Sequence, residues 1–256
     1  REVFALAIAL QNLFWGAFQP FTAGIAEKFG TGRIVAVGGL LYATGLYMMS
    51  ETTDPLTFHF SAGLLIGMAQ SGCAIGIVLS AVGRALPEGK RSFGLGLVTA
   101  LGAAGQFTVV PIGQVLLDQY GWSTSFLLLS MMALSIILCA VFLRSPVRSM
   151  TAVGSTPEID LSETLRSASR DHGFWLLTAG FFVCGFHVAF ITVHLPPYIV
   201  DLGLDPSWGA IAIALIGFCN VFGALAAGYI GGRFSKPYFL SLIYLGRAVA
   251  IAIFLM

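Results

Sequence analysis

Eight stretches of the sequence, at about residues 3 to 26, 34 to 50, 58 to 83, 93 to 117, 124 to 143, 174 to 200, 208 to 231 and 238 to 256, are almost wholly apolar, and Arg247 is the one Lys, Arg, Asp or Glu inside them. Each is long enough, or nearly so, to cross a hydrocarbon core of about 30 Å as a helix, for which roughly 20 residues are needed. The runs are continuous rather than alternating, and a backbone in lipid must satisfy its own hydrogen bonds, so helices are expected and a barrel is not. The expected fold class is all-α, a polytopic membrane bundle with eight spans. A charged fraction of 10% agrees, because soluble domains carry about 25%. The net charge of +1 offers no bulk basicity for nucleic acid.

The loops between the runs alternate in charge. Lys28 and Arg33 lie in the first, Arg84, Lys90 and Arg91 in the third, Arg144, Arg148, Arg166 and Arg170 in the fifth, and Arg233 and Lys236 in the seventh. The second, fourth and sixth (Glu51 to Thr57, Asp118 to Ser123, Asp201 to Ser207) hold no Lys or Arg. The positive-inside rule then makes the odd-numbered loops cytoplasmic in a plasma (inner) membrane. No cleavable leader is expected before the first run. A start at Arg1 and a stop inside an apolar run suggest a fragment of a longer chain.

Within the first loop, Ala23 to Arg33 brings an acid, two bases and three glycines into a tight turn beside the bilayer. A weaker echo follows at Gly228 to Lys236, where Arg233-Phe234 matches Lys28-Phe29, and the pair of loops suggests an internal duplication. The longest loop is rich in Ser, Thr, Pro and charge, which divides the chain into residues 1–143, a linker at 144–173, and residues 174–256. Thr156-Pro157-Glu158 resembles a helix start, and Leu161, Leu165 and Ala168 share a face, consistent with a short surface helix or with a solvated linker.

This pattern resembles the major facilitator superfamily, whose members have two six-span halves joined by a long cytoplasmic loop. In that family's signature after the second span, Glu27, Lys28 and Gly30 occupy the acid, base and second-glycine positions, while Ala23 replaces the first glycine and Arg33 comes one position late. The runs would be spans two to nine, without the first span and the last three. Gly102, Gly105, Pro111 and Asp118-Gln119-Tyr120-Gly121-Trp122 are similar to the monocarboxylate and oxalate/formate branch, with Ser123 in place of an arginine and Gly67 at the arginine position of a fourth-span pattern ahead of Gln70. The resemblance implies a secondary transporter of a small solute, such as a small organic anion, working by alternating access with a proton as candidate co-substrate. Its partners are then that solute and the lipid bilayer, with no cofactor.

Candidate substrate contacts are the polar groups inside the runs. Asn12, Trp15 and Gln19 follow helical spacing on one face, and Gln106 and Asn220 are isolated amides in apolar surroundings. No Asp or Glu lies within a run, so a proton carrier in this part of the chain has to be a histidine, His187 and His194 being the two at depth, seven residues apart and about 20° apart on the helix circumference, or else it lies in the missing spans. Their spacing of about 10.5 Å along the axis is too wide for a shared metal. Arg247 is a buried-charge candidate for a carboxylate. Glu27, Lys28, Gly30, Arg33, Arg233 and Lys236 are the candidate gating residues. Helix packing explains each interior residue as well as substrate contact does. A transporter of another small metabolite or drug, an intramembrane enzyme and a non-transporting sensor remain as alternatives, although no Gly-x-Ser-x-Gly, His-Glu-x-x-His or phosphate loop supports the enzyme. The cysteines (Cys73, Cys139, Cys184, Cys219) sit in apolar runs without CxxC spacing and read as inert thiols.

Overall fold

A computed structural model describes residues 2–143, 166–167, 169–233 and 235–254, and among these no strand occurs. The linker residues named above, Arg144, Arg148, Thr156, Pro157, Glu158, Leu161, Leu165 and Ala168, lie outside the described residues. Helix α1 runs Glu2–Phe29 and α2 Thr31–Glu51, separated by Gly30 alone. Gly30 stands at φ 95°, ψ 139°, a left-handed backbone that a β-carbon would strain, so the chain reverses here on one glycine.

After Asp54, whose carboxylate accepts the Thr57 N–H at 3.0 Å, α3 (Pro55–Phe58) passes through a π-helical turn, His59–Leu65, into α4 (Ile66–Gly72). The chain leaves helical geometry at Ala74 (φ −58°, ψ 139°) and resumes as α5 (Ile75–Ala85). Helix α6 (Glu88–Phe142) is 55 residues long but includes Gly121 at φ 74°, ψ 175°. A straight helix of that length would measure about 80 Å, well over twice the apolar core. Gly121 instead divides it into two limbs of span length. The chain continues as α7 (His172–Asp201), α8 (Ser207–Ile230) and α9 (Lys236–Phe254).

Among the described residues six helical stretches are long and apolar enough to cross a membrane: Val3–Phe29, Thr31–Glu51, Pro55–Ala85, Glu88–Phe142, His172–Asp201 and Ser207–Ile230, with Pro237–Ile253 shorter. The protein is a multi-pass membrane protein. The expected loop at 118–123 is replaced by a single-residue break, because Asp118 stays helical and takes a hydrogen bond from Gln114 Nε2 one turn back at 2.9 Å.

Two compact units emerge, one comprising Arg1–Ser145 with Ile213–Met256 and the other Pro146–Ala212. In the first, the core is small and aliphatic, with Ala7, Ala43, Leu46, Met49, Ala62, Ile66 and Ala133 in one cluster and Ala26, Val35, Ile77 and Ala140 in another. Glycines bring the helices close: a β-carbon on Gly38 would stand 2.8 Å from Cys73 Sγ, and one on Gly45 2.9 Å from Ile66. Hydroxyls supplement this packing, Ser130 donating to Ala43 O at 2.8 Å and Ser123 to Ser50 O at 2.7 Å. In the second unit α7 has no buried residue, and its end meets the start of α8 where Pro196 Cα lies 3.1 Å from the β position of Gly209.

Candidate functional site

The charged turn between α1 and α2 is built by Gly30, whose N–H donates to Ala26 O at 2.9 Å. Glu27, on the last turn of α1, faces Arg84 at the end of α5, with Oε1 3.9 Å from Nη1, and Arg84 Nη1 donates to Ser80 Oγ at 2.7 Å. Both side chains of the ion pair are exposed, at 73% and 53%, so the attraction is screened and contributes at most about 1 kcal/mol. Lys28 Nζ stands 5.8 Å from the Phe29 ring centroid, and Arg33 is exposed. Next to it, a β-carbon on Gly32 would lie 2.7 Å from Ala140 O, so α2 meets the end of α6 backbone to side-chain-free backbone.

The second loop is built differently. Arg233 lies over the Tyr229 ring at 4.3 Å and its N–H donates to Ile230 O at 2.9 Å, while Gly231 and Gly232 lack the positive φ of Gly30. Lys236 begins α9, but its side chain and all of Phe234 lie outside the described residues. The end of α8 is fastened to α6 instead. Ser92 Oγ donates to Gly228 O at 2.9 Å, and a β-carbon on Gly96 would stand 2.7 Å from Gly228 Cα.

The interior candidates separate into three groups. On α1, Asn12 is exposed and donates to Ile8 O at 2.9 Å, and Gln19 is half-buried near Thr22, whose hydroxyl reaches Ser71 O at 3.1 Å. Gln106 on α6 is brought to α8, its Cβ 3.3 Å from the β position of Gly217, and Asn220 lies exposed one turn further along α8. On α7 the two histidines differ: His194 is exposed with its ring 4.8 Å from that of Phe190, whereas His187 is half-buried and its Nδ1 is hidden without a hydrogen-bond partner among the described residues. A buried polar atom in that condition costs about 1 to 3 kcal/mol unless something satisfies it. Arg247 is half-buried on α9.

Two features were not singled out from sequence, and a third position, Gly67, reads differently once the helices are packed. Arg84 pairs with Glu27 across more than fifty positions, and its only sequence signal is a base at the end of an apolar run. His59 opens the π-helical turn with its Nδ1 buried and unpartnered among the described residues, although its place at the edge of a run hid it. Gly67 is filled from outside, since a β-carbon there would stand 2.8 Å from Gln11 O and 2.9 Å from Phe14 Cβ on α1. That position holds no room for a cation. Among the described residues no three His, Cys, Asp or Glu side chains gather as metal ligands would.

The family model described as Major Facilitator Superfamily matches residues 1–256. The chain is 28% identical over 229 residues to monocarboxylate transporter 13 of Bos taurus, which covers 86% of this chain and 50% of that protein. It is 27% identical over 228 residues to monocarboxylate transporter 4 of Rattus norvegicus, covering 86% and 47%. It is also 22% identical over 262 residues to the uncharacterized MFS-type transporter YcxA of Bacillus subtilis (strain 168), covering 98% and 61%. The chain spans about half the length of the first two relatives.

Proposed function

The chain belongs to the major facilitator superfamily, and from that premise we propose that the protein moves a small organic anion of the monocarboxylate class across a membrane by alternating access. The observation that carries this reading is the match along residues 1–256 to a family whose relatives, cited above, bear transporter names and no enzyme name. The two limbs of α6 count as separate spans in this reading and α9 as another, giving eight, arranged as halves 1–143 and 174–256 about the linker 144–173. The basic loops face the cytoplasm of a plasma (inner) membrane.

Glu27 and Arg84, with Lys28, Gly30, Arg33, Arg233 and Lys236, form the inner gate. Because the Glu27–Arg84 attraction is small, it trims the balance between two conformations and does not lock one. Substrate contacts come from Asn12, Gln19, Gln106, Asn220, His194, His187 and Arg247. With Gly67 closed off by α1, cationic recognition falls to His187 and Arg247. Histidine exchanges a proton near neutral pH, so His187 takes one from the outer side and, as a cation, holds the anion. Its Nδ1, without a hydrogen-bond partner among the described residues, leaves a polar contact for the substrate to fill.

The test is uptake by the full-length protein in proteoliposomes, screened with radiolabelled small carboxylates and sugars. Saturable carboxylate uptake, accelerated by unlabelled carboxylate inside the vesicle, is the expected result. Uptake confined to sugars, or chemical conversion without movement, would contradict it.

A further inference from the structure

Four cations lie at the ends of α5, α6 and α8. Arg84 lies at the end of α5, Lys90 and Arg91 lie in the first turn of α6, and Arg233 follows α8. Glycines let these helix ends pack closely. The Arg91 guanidinium lies along Gly83, with Nε 3.2 Å and Nη2 3.3 Å from the position a β-carbon would take there. The neighbouring Ser92 packs on the turn that carries Arg233, its Cβ 3.5 Å from the β position of Gly232 and its hydroxyl on Gly228 O. Arg233 is braced over the Tyr229 ring, which orients its planar fork.

Two acids stand against these four cations, Glu27 facing Arg84 and Glu88 in the same first turn of α6 as Lys90 and Arg91. Glu27 stands 3.9 Å from Arg84, but among the described residues no carboxylate lies within ion-pair distance of Lys90, Arg91 or Arg233, and all three are exposed. They sit at the ends of the apolar stretches Glu88–Phe142 and Ser207–Ile230, where a membrane's headgroups lie. We propose that Arg91 and Arg233, set on either side of the Ser92 contact, bind the phosphate of an anionic phospholipid headgroup. Two guanidinium forks from different helices suit one phosphate, and the membrane surface supplies lipid phosphate at far higher local concentration than solution supplies the free ion. Binding does not depend on the transport reading. A second consequence rests on that reading: a headgroup bridging α6 and α8 favours the arrangement in which Ser92 touches Gly228, so anionic lipid slows opening at this end.

The experiment is native mass spectrometry of the full-length protein in detergent, titrated separately with phosphatidylglycerol and phosphatidylcholine, with inorganic phosphate as a competitor. Phosphatidylglycerol should be retained and phosphatidylcholine not. Arg91→Gln with Arg233→Gln should raise the half-saturating lipid concentration about thirtyfold, since each cation near the surface contributes about 1 kcal/mol. The linker control Arg170→Gln should change it less than about twofold. Arg233→Gln alone, in an exposed turn, should give about a fivefold rise and carries the test where the double variant fails to insert. Equal weakening by Arg170→Gln, equal retention of phosphatidylcholine, or displacement of the lipid by millimolar inorganic phosphate would overturn the proposal. These results stand apart from uptake, so a protein that binds the lipid and moves no carboxylate would sink only the transport reading.

Discussion

Helices α2 and α7 are both apolar and both long enough to span a bilayer, yet 44% of the most apolar window of α2 is buried and none of that of α7. Their sequences explain the contrast. Helix α2 presents Gly38, Gly39, Ala43 and Gly45 to its neighbours, so backbones approach and serine hydroxyls reach across. Helix α7 carries Phe174, Trp175, Phe181, Phe182, Phe186 and Phe190, all exposed, and its hidden polar atom is His187 Nδ1. In lipid, burial of apolar surface does not drive association, so close packing has to come from small residues. Small residues hold the packed helices together, and α7 is the helix on which the proposed chemistry rests.

The largest effect should come from crowding the packed helices. Gly38→Leu would drive a side chain against Cys73 Sγ and the Ala69 and Gly72 backbone, all within about 3 Å of the β position, and should abolish the monodisperse peak in size-exclusion chromatography. Phe182→Leu on α7, 72% exposed, should leave that peak unchanged. Next comes Gly96→Val at the crossing of α6 and α8. Its β-carbon would stand 2.7 Å from Gly228 Cα, and it should cost about 1 to 3 kcal/mol in thermal unfolding and break the Ser92 contact. A smaller change is expected for Glu27→Gln. An exposed pair at 3.9 Å allows at most about a fivefold change in uptake rate, with insertion unaffected. A larger loss would mean that Glu27 has a stronger partner in another conformation.

The smallest effect belongs to Asp205, in the loop between α7 and α8. Hydrogen bonds from the Ser207 side chain and backbone hold its carboxyl below the usual range. A depressed carboxyl contributes stability above its unfolded pKa and loses it only as pH falls through the folded value. Asp205→Ala should therefore leave the pH profile of the melting temperature unchanged between about pH 5 and 8.

The same contrast explains what the sequence discloses. Apolar length and the alternation of Lys and Arg mark where the chain crosses and turns, because those follow from transfer energies that are local to each segment. Breaks within apolar sequence are silent. Nothing in Gln70 to Ile77 announces the irregular Ala74, and only the pair Tyr120-Gly121 hints that a turn at 118–123 closes on one residue. The π-helical turn hides His59 in the same way. Among the site residues, Gly30 is legible as a turn, whereas Arg84 is not legible as the partner of Glu27, since their pairing depends on how α1 meets α5. His187 and His194 share a stripe by spacing, but the bundle treats them differently, leaving His194 exposed and half-burying His187.

The claim that α7 carries the chemistry is tested most directly by the external-pH profile of carboxylate uptake in the wild type and in His187→Gln. The account predicts uptake that rises as external pH falls, and a flat profile in His187→Gln with normal membrane insertion. An unaltered profile in His187→Gln, repeated in His194→Gln, would contradict it.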